Sequence, residues 1–216
     1  PIMDGFAKYL SSELPVLQIT WARYFFTVVF TFPLMLFFFK KYLVWTDKPI
    51  LQLIRGLILL TANISFFYSI SVISLPKALT LAFVAPLVVT AFSPFFLGES
   101  VGYRRWAAVI IGFIGSLVVI RPGFLEINLA SLAALGTGIM YGFYLIITRK
   151  LSTSDNPLLT LLLTGVVGAI IATTFMPFVW VSPTFNQWSI MAAIGLFACI
   201  GHLFIILSLR LSLIHI

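Results

Sequence analysis

Charge is scarce in this chain. Only 9% of its 216 residues are Asp, Glu, Lys or Arg, against about 25% in an ordinary soluble domain, while 61% are hydrophobic. A water-soluble fold of that composition would expose adhesive apolar surface on every side. Acids are the rarest class: six Asp and Glu face thirteen Lys and Arg, a net charge of +7. In a soluble chain that balance would suggest nucleic acid. Here the basic residues fall in short connections between apolar runs, so the balance reads as membrane topology and no nucleic-acid partner is expected. A single cysteine, Cys199, excludes an intrachain disulfide and any cysteine-based metal spacing. Two histidines, His202 and His215, make no Cys/His cluster. No glycine-rich phosphate loop is present, and Asp47, Glu99, Glu126 and Asp155 all lie in connections. A membrane-embedded hydrolase or transferase needs a nucleophile–base pair or metal ligands within reach. The residues therefore argue against an enzyme and call for no cofactor and no metal.

What the chain has instead is seven long apolar runs: Val16–Phe39, Ile50–Ile73, Pro76–Leu97, Tyr103–Ile120, Leu129–Thr148, Pro157–Val181 and Gln187–Leu209. Each is long enough to cross a hydrocarbon core of about 30 Å, which takes ~20 helical residues. Backbone groups in lipid must be satisfied internally, so these runs should be helices. Nothing alternates as the strands of a barrel would. The expected fold is an all-α polytopic membrane protein, with a partial first helix and seven full spans. The first ten residues resemble the tail of another span, there is no initiator Met, and 211–216 fit no expected continuation. Both ends read as truncations.

Loop charge sets orientation. Lys40, Lys41, Lys48, Arg55, Arg104, Arg105, Arg149, Lys150 and Arg210 fall on one side, and Lys8, Arg23, Lys77 and Arg121 on the other. The richer side should be cytoplasmic.

A weak internal repeat accompanies this alternation. Lys8-Tyr9-Leu10-Ser11-Ser12 leads to Pro15, and Arg149-Lys150-Leu151-Ser152-Thr153 leads to Pro157. Asn63 precedes Ser69 as His202 precedes Ser208, at nearly the same offset. Five spans separate the copies, and an odd number inverts the second copy in the membrane. Inverted repeats recur in secondary transporters, with the substrate site near the midplane between the units.

The run Pro86-Leu87, Gly98-Glu99, Arg104-Arg105-Trp106, Gly112, Gly115 and Arg121-Pro122-Gly123 resembles the end of the first repeat in the EamA family of the drug/metabolite transporter superfamily. Gln18-Ile19-Thr20-Trp21-Ala22-Arg23-Tyr24 is similar to that family's second helix, and Gly201-His202-Leu203-Phe204 with Ser208-Leu209-Arg210 to its eighth. The resemblance implies a parent of ten helices in two inverted five-helix repeats. Residues 1–122 would be the first repeat with its first helix cut short, and 123–216 a second lacking its last two helices. It also implies a secondary transporter moving a small organic metabolite across the bacterial cytoplasmic membrane by alternating access. A nucleotide-sugar or sugar-phosphate carrier of the same superfamily is the nearest alternative, and a non-transporting scaffold a more distant one.

Six residues are candidates for the substrate site: Arg23, Asn63, Tyr68, Tyr141, Tyr144 and His202. Arg23 either snorkels to the outer headgroups or lines the pathway and meets an anionic group of the substrate. Asn63 and His202 occupy matching repeat positions mid-span, and His202 is a candidate for proton coupling. The tyrosines, with Trp21, suit a pocket for a flat organic solute. Pro86 should kink its span. Gly112, Gly115, Gly165 and Gly168 should let helices approach closely. Glu99 and the Arg104/Arg105 pair read as a loop that fixes helix ends. Oligomeric state and substrate identity are open.

Overall fold

The computed structural model describes residues 2–38, 46–98, 101–120, 128–152 and 154–211. Lys40, Lys41, Glu99 and Arg121 lie outside them. Every regular element among the described residues is a helix: α1 (Ile2–Leu10), α2 (Val16–Phe38), α3 (Pro49–Val72), α4 (Leu75–Ala82), α5 (Ala85–Leu97), α6 (Tyr103–Ile120), α7 (Leu129–Leu151), α8 (Pro157–Val179) and α9 (Phe185–Leu211). Among the described residues, six spans are long and apolar enough to cross a bilayer, with α4 and α5 counted together as one. This is a multi-pass membrane protein. The seventh expected span is the helix α6, with the expected bounds. It carries Arg104 and Arg105 in its first turn, ahead of an apolar run from Trp106 to Ile120.

Local sequence explains where helices start and stop. The Asn128 side chain accepts from the Ser131 N–H at the start of α7, and Asn156 from the Leu158 N–H at the start of α8. Each satisfies an N–H that the helix itself leaves unpaired. Pro49 and Pro157 sit in first turns, where a missing N–H is harmless. Thr184 and Gln187 form a capping box on α9: the Gln187 N–H donates to Thr184 Oγ1 at 3.3 Å and the Thr184 N–H to Gln187 Oε1 at 2.7 Å. Gly98 ends α5 at φ +69°, a left-handed conformation that disfavours side chains bearing a Cβ.

Pro86 does more than kink its span. The helix breaks at Phe83 and Val84, and Pro86 falls in the first turn of α5. The proline has no N–H to offer the Ala82 carbonyl. That carbonyl faces Gly138 of α7, where an added Cβ would stand 2.6 Å from the oxygen. Gly142 likewise meets Val88 and the Ala85 carbonyl. The broken span thus packs against a glycine face of α7. On its other side Phe83 and Pro86 border a cavity of about 320 Å³ with Val109 and Phe113 of α6. Gly165 and Gly168 pack closely as expected, under Val28 and Tyr24. Gly112 and Gly115 do not, since a Cβ on either would meet open space. Gly112 borders that same cavity, and the close approaches fall on Gly56, Gly138, Gly142 and Gly195 instead.

The helices interleave. α2 packs on α8, α3 on both α7 and α8, and α9 on both α1 and α2. At one end, Lys8 of α1 donates to the carbonyls of Ile70, Ser71 and Ile73 at the C-terminus of α3, where a cation complements the helix dipole. At the other end, Thr46 before α3 meets Asp155 between α7 and α8, and Arg210 of α9 borders the same recess. Lys48, just before α3, and Arg149, in the last turn of α7, therefore share one end of the bundle, as the charge alternation requires. Two residues leave that tally. Arg55 lies inside α3 and is fully buried, and Arg23 is buried in α2. Neither is a loop charge, and the bias keeps its sign without them.

Candidate functional site

Four helices each send one polar side chain to a common point inside the bundle: Arg23 from α2, Arg55 from α3, Tyr144 from α7 and His202 from α9. Arg23 is 2% exposed, and Arg55 and Tyr144 are 0%. Arg23 therefore does not snorkel to the headgroups.

The hydrogen bonds fix protonation. Arg23 Nη2 lies 2.6 Å from His202 Nε2. A guanidinium has no acceptor, so Nε2 accepts and the imidazole is neutral in this state. Its proton must sit on Nδ1, which lies 2.9 Å from the Tyr144 hydroxyl. Tyr144 accepts there and again from Arg55 Nη2 at 3.3 Å. Both lone pairs are used, and its own O–H remains to be donated. Rings complete the arrangement. Tyr144 meets His202 edge-on at 5.6 Å and stacks with Tyr141 at 5.4 Å. Arg23 lies over the Tyr24 ring at 4.7 Å and Arg55 over Tyr144 at 5.0 Å, both within cation–π range.

Arg55 is held further by Thr148 Oγ1 at 2.9 Å, Gln52 Oε1 at 3.1 Å and the Thr160 carbonyl at 3.2 Å. Arg23 is held less completely, since its Nε is buried without a hydrogen-bond partner. All of these partners are neutral. Inserting an arginine at mid-membrane costs about 2.5–3.5 kcal/mol on translocon scales, and this cluster holds two. The two cations thus share one cluster in which every hydrogen-bond partner they have is neutral. Such a site suits an anionic group.

The remaining candidates separate. Asn63 donates to the Tyr24 hydroxyl at 2.9 Å and to the Leu59 carbonyl at 2.6 Å, which places it one contact behind Arg23. Tyr141 is half-buried and borders a cavity of about 420 Å³ with Asp4, Phe197 and His202. A smaller recess lies under Arg23, walled by Tyr24, Tyr144, Gly165 and His202. Tyr68 is 36% exposed and takes no part. Trp21 also stays outside, stacked on Phe25 and against Trp180 and Trp188, with its N–H on Thr173 Oγ1. Two members of the site were missed from sequence, Arg55 and Tyr24. The signal for Arg55 was present: Pro49 fixes the start of α3 and puts Arg55 nearly two turns inside it.

Comparison with known proteins bears on the family and the fold. An S-adenosylmethionine uptake transporter of Rickettsia bellii is 25% identical over 192 residues, 89% of this chain and 66% of that protein. A pseudopaline exporter of Pseudomonas aeruginosa is 22% identical over 94% of this chain and 72% of its own. A riboflavin transporter of Vibrio cholerae is 36% identical over a shorter stretch, 38% of this chain and 27% of its own. The chain thus spans about two thirds of the length of the uptake transporter. One solved crystal structure superposes with a TM-score of 0.75 over 97% of this chain and 75% of the other, at 18% identity, which shows the shared fold alone. The apolar helices and these carrier relatives place the chain in the bacterial inner membrane, as a multi-pass protein. The profile of the EamA-like transporter family matches residues 2–121, more than half of the chain, and the chain belongs to that family.

Proposed function

We propose that the protein is a secondary transporter that moves a small organic metabolite across the inner membrane by alternating access. The observation that carries this reading is the pair of buried guanidiniums, Arg23 and Arg55, bridged by His202 and Tyr144 with neutral partners throughout. A merely structural cluster in lipid would be expected to pair its cations with acids or dispense with them. Here an unspent donor at Arg23 Nε and the free Tyr144 O–H await an acceptor. The substrate therefore carries a carboxylate or similar anionic group that meets Arg23, with a flat or apolar part against Tyr141 and Tyr144. The uptake transporter, riboflavin transporter and exporter among its relatives move organic solutes, which favours a carrier over a membrane enzyme or scaffold.

The mechanism rests on two repeats, residues 1–122 and 123–216, inverted with respect to one another. α2 and α8 have the same length, and each packs across the bundle on the other repeat's third helix. The two units rock about the cluster. The His202 contact supports proton coupling. A proton added at Nε2 sets two donors face to face, so Arg23 must release the imidazole. The groups around that ring are Arg23 on α2, Arg55 on α3, Tyr141 and Tyr144 on α7, and Asp4 of α1 across the cavity.

The test is solute flux by the gene product in proteoliposomes, screened against a panel of anionic, neutral and cationic metabolites. Saturable flux of an anionic solute, abolished by Arg23→Gln, supports the proposal. No flux with any solute, or equal flux of neutral analogues, overturns it. His202→Gln preserves an acceptor for Arg23 and a donor for Tyr144. It should keep exchange and lose proton-driven accumulation, and retained accumulation would remove His202 from the proton path.

A further inference from the structure

Two acid–glutamine contacts sit at opposite ends of the bundle in matching places. Glu13 lies two residues before Pro15, in the connection from α1 to α2. Asp155 lies two residues before Pro157, in the connection from α7 to α8. Glu13 Oε2 accepts from Gln187 Nε2 at 2.6 Å, in the first turn of α9. Asp155 Oδ2 accepts from Gln52 Nε2 at 2.7 Å, in the first turn of α3. Each acid thus belongs to the first connection of one repeat, and each glutamine to the start of the third helix of the other. The correspondence is reciprocal, which a chance pair of surface contacts would not be.

Each contact is reinforced locally. Gln187 is aimed by its capping box with Thr184. Beside it the Gln18 amide clasps the Val181 backbone, donating to the carbonyl at 2.7 Å and accepting from the N–H at 3.0 Å. At the other end Thr46 also donates to Asp155 Oδ2, and Gln52 Oε1 accepts from Arg55. Gln52 therefore touches both the acid at the end of the bundle and a guanidinium of the central cluster, so the state of that end is tied directly to the site. Thr46, Gln52 and Asp155 are all buried.

We infer that these contacts are the two gates of the carrier, Asp155 with Gln52 closing the cytoplasmic end and Glu13 with Gln187 the outer end. Both are made in this structure, which is the state with both ends fastened. Alternating access opens one while the other holds. An anion that meets Arg23 and the Tyr144 hydroxyl disturbs Arg55, which holds both Tyr144 and Gln52, and loosening Gln52 loosens its hold on Asp155. The inference rests on the transport reading for its meaning, but the opening of each end is measurable without transport.

The experiment is double electron–electron resonance on the gene product in nanodiscs, with spin labels at Ser12 and Ser182 for the outer end and at Ile50 and Lys150 for the cytoplasmic end. Glu13→Ala should lengthen the outer distance and leave the cytoplasmic one. Asp155→Ala should do the reverse, and Gln52→Leu, which keeps the loop acid intact, should repeat that effect if Asp155→Ala fails to fold. Folded variants whose distances match the unsubstituted protein at both ends would overturn the gates. Distances that move as expected in a protein that carries no solute would uphold the gates and sink the carrier reading instead.

Discussion

Replacing Arg55 by Met should barely change stability and should abolish transport. Arg55 makes four hydrogen bonds, to Thr148, Gln52, the Thr160 carbonyl and Tyr144. At about 0.6 kcal/mol each within a bilayer, they supply about 2.4 kcal/mol. Against this stands the ~2.5–3.5 kcal/mol needed to place a guanidinium at mid-membrane. The two nearly cancel. Met fills a similar volume, and most groups left behind keep other partners: Thr148 donates to the Tyr144 carbonyl, Tyr144 retains His202, and Gln52 keeps Asp155 and Thr160 through Nε2 while its Oε1 loses its donor. The net change should fall within about 1 kcal/mol. Unfolding in mixed micelles, followed by tryptophan fluorescence, measures it. Flux in proteoliposomes should meanwhile fall to background. A loss of ~3–5 kcal/mol, the signature of breaking a buried charge network, would show that Arg55 is there for the fold, and the functional argument from its burial would fail.

Four other outcomes follow from the same contacts. Gly168→Ala drives a methyl into the Tyr24 ring, which should displace Tyr24 from Arg23 and Asn63 and cost ~1–3 kcal/mol of stability together with at least tenfold in solute affinity. Gly138→Val should destabilise more than Gly112→Val, because the first meets the Ala82 carbonyl and the second meets open space; paired micelle unfolding curves decide it. Tyr144→Phe strips an acceptor from His202 and Arg55 and should weaken solute binding roughly tenfold, the equivalent of about 1.4 kcal/mol, measured by thermal shift. Tyr68→Ala should leave binding and flux unchanged, since Tyr68 lies outside the cluster.

The spans were legible because hydropathy in lipid depends on composition alone: the starts of α6, α7 and α8 fall at the residues where the apolar runs begin. Contacts between spans were less legible. Gly112 and Gly138 look alike in sequence, and only the break at Phe83 and Val84, which exposes the Ala82 carbonyl, makes one of them a packing position. Arg55 was misread because a positive-inside tally treats every basic residue near a span end as a loop charge, whereas helix geometry from Pro49 turns it inward. Arg23 and His202 were found as polar residues within spans, but their pairing at 2.6 Å joins residues 179 positions apart, and no local pattern encodes that. Tyr68 failed for the converse reason: lying in a helix with other polar groups does not say which face a side chain occupies.

The most direct test of the central claim is a structure of the full gene product with its transported solute bound. An anionic group of that solute should lie within hydrogen-bond distance of Arg23 Nε, beside His202 and Tyr144. A transported solute that binds away from this cluster, with Arg23 still paired to His202 as it is here, would contradict it.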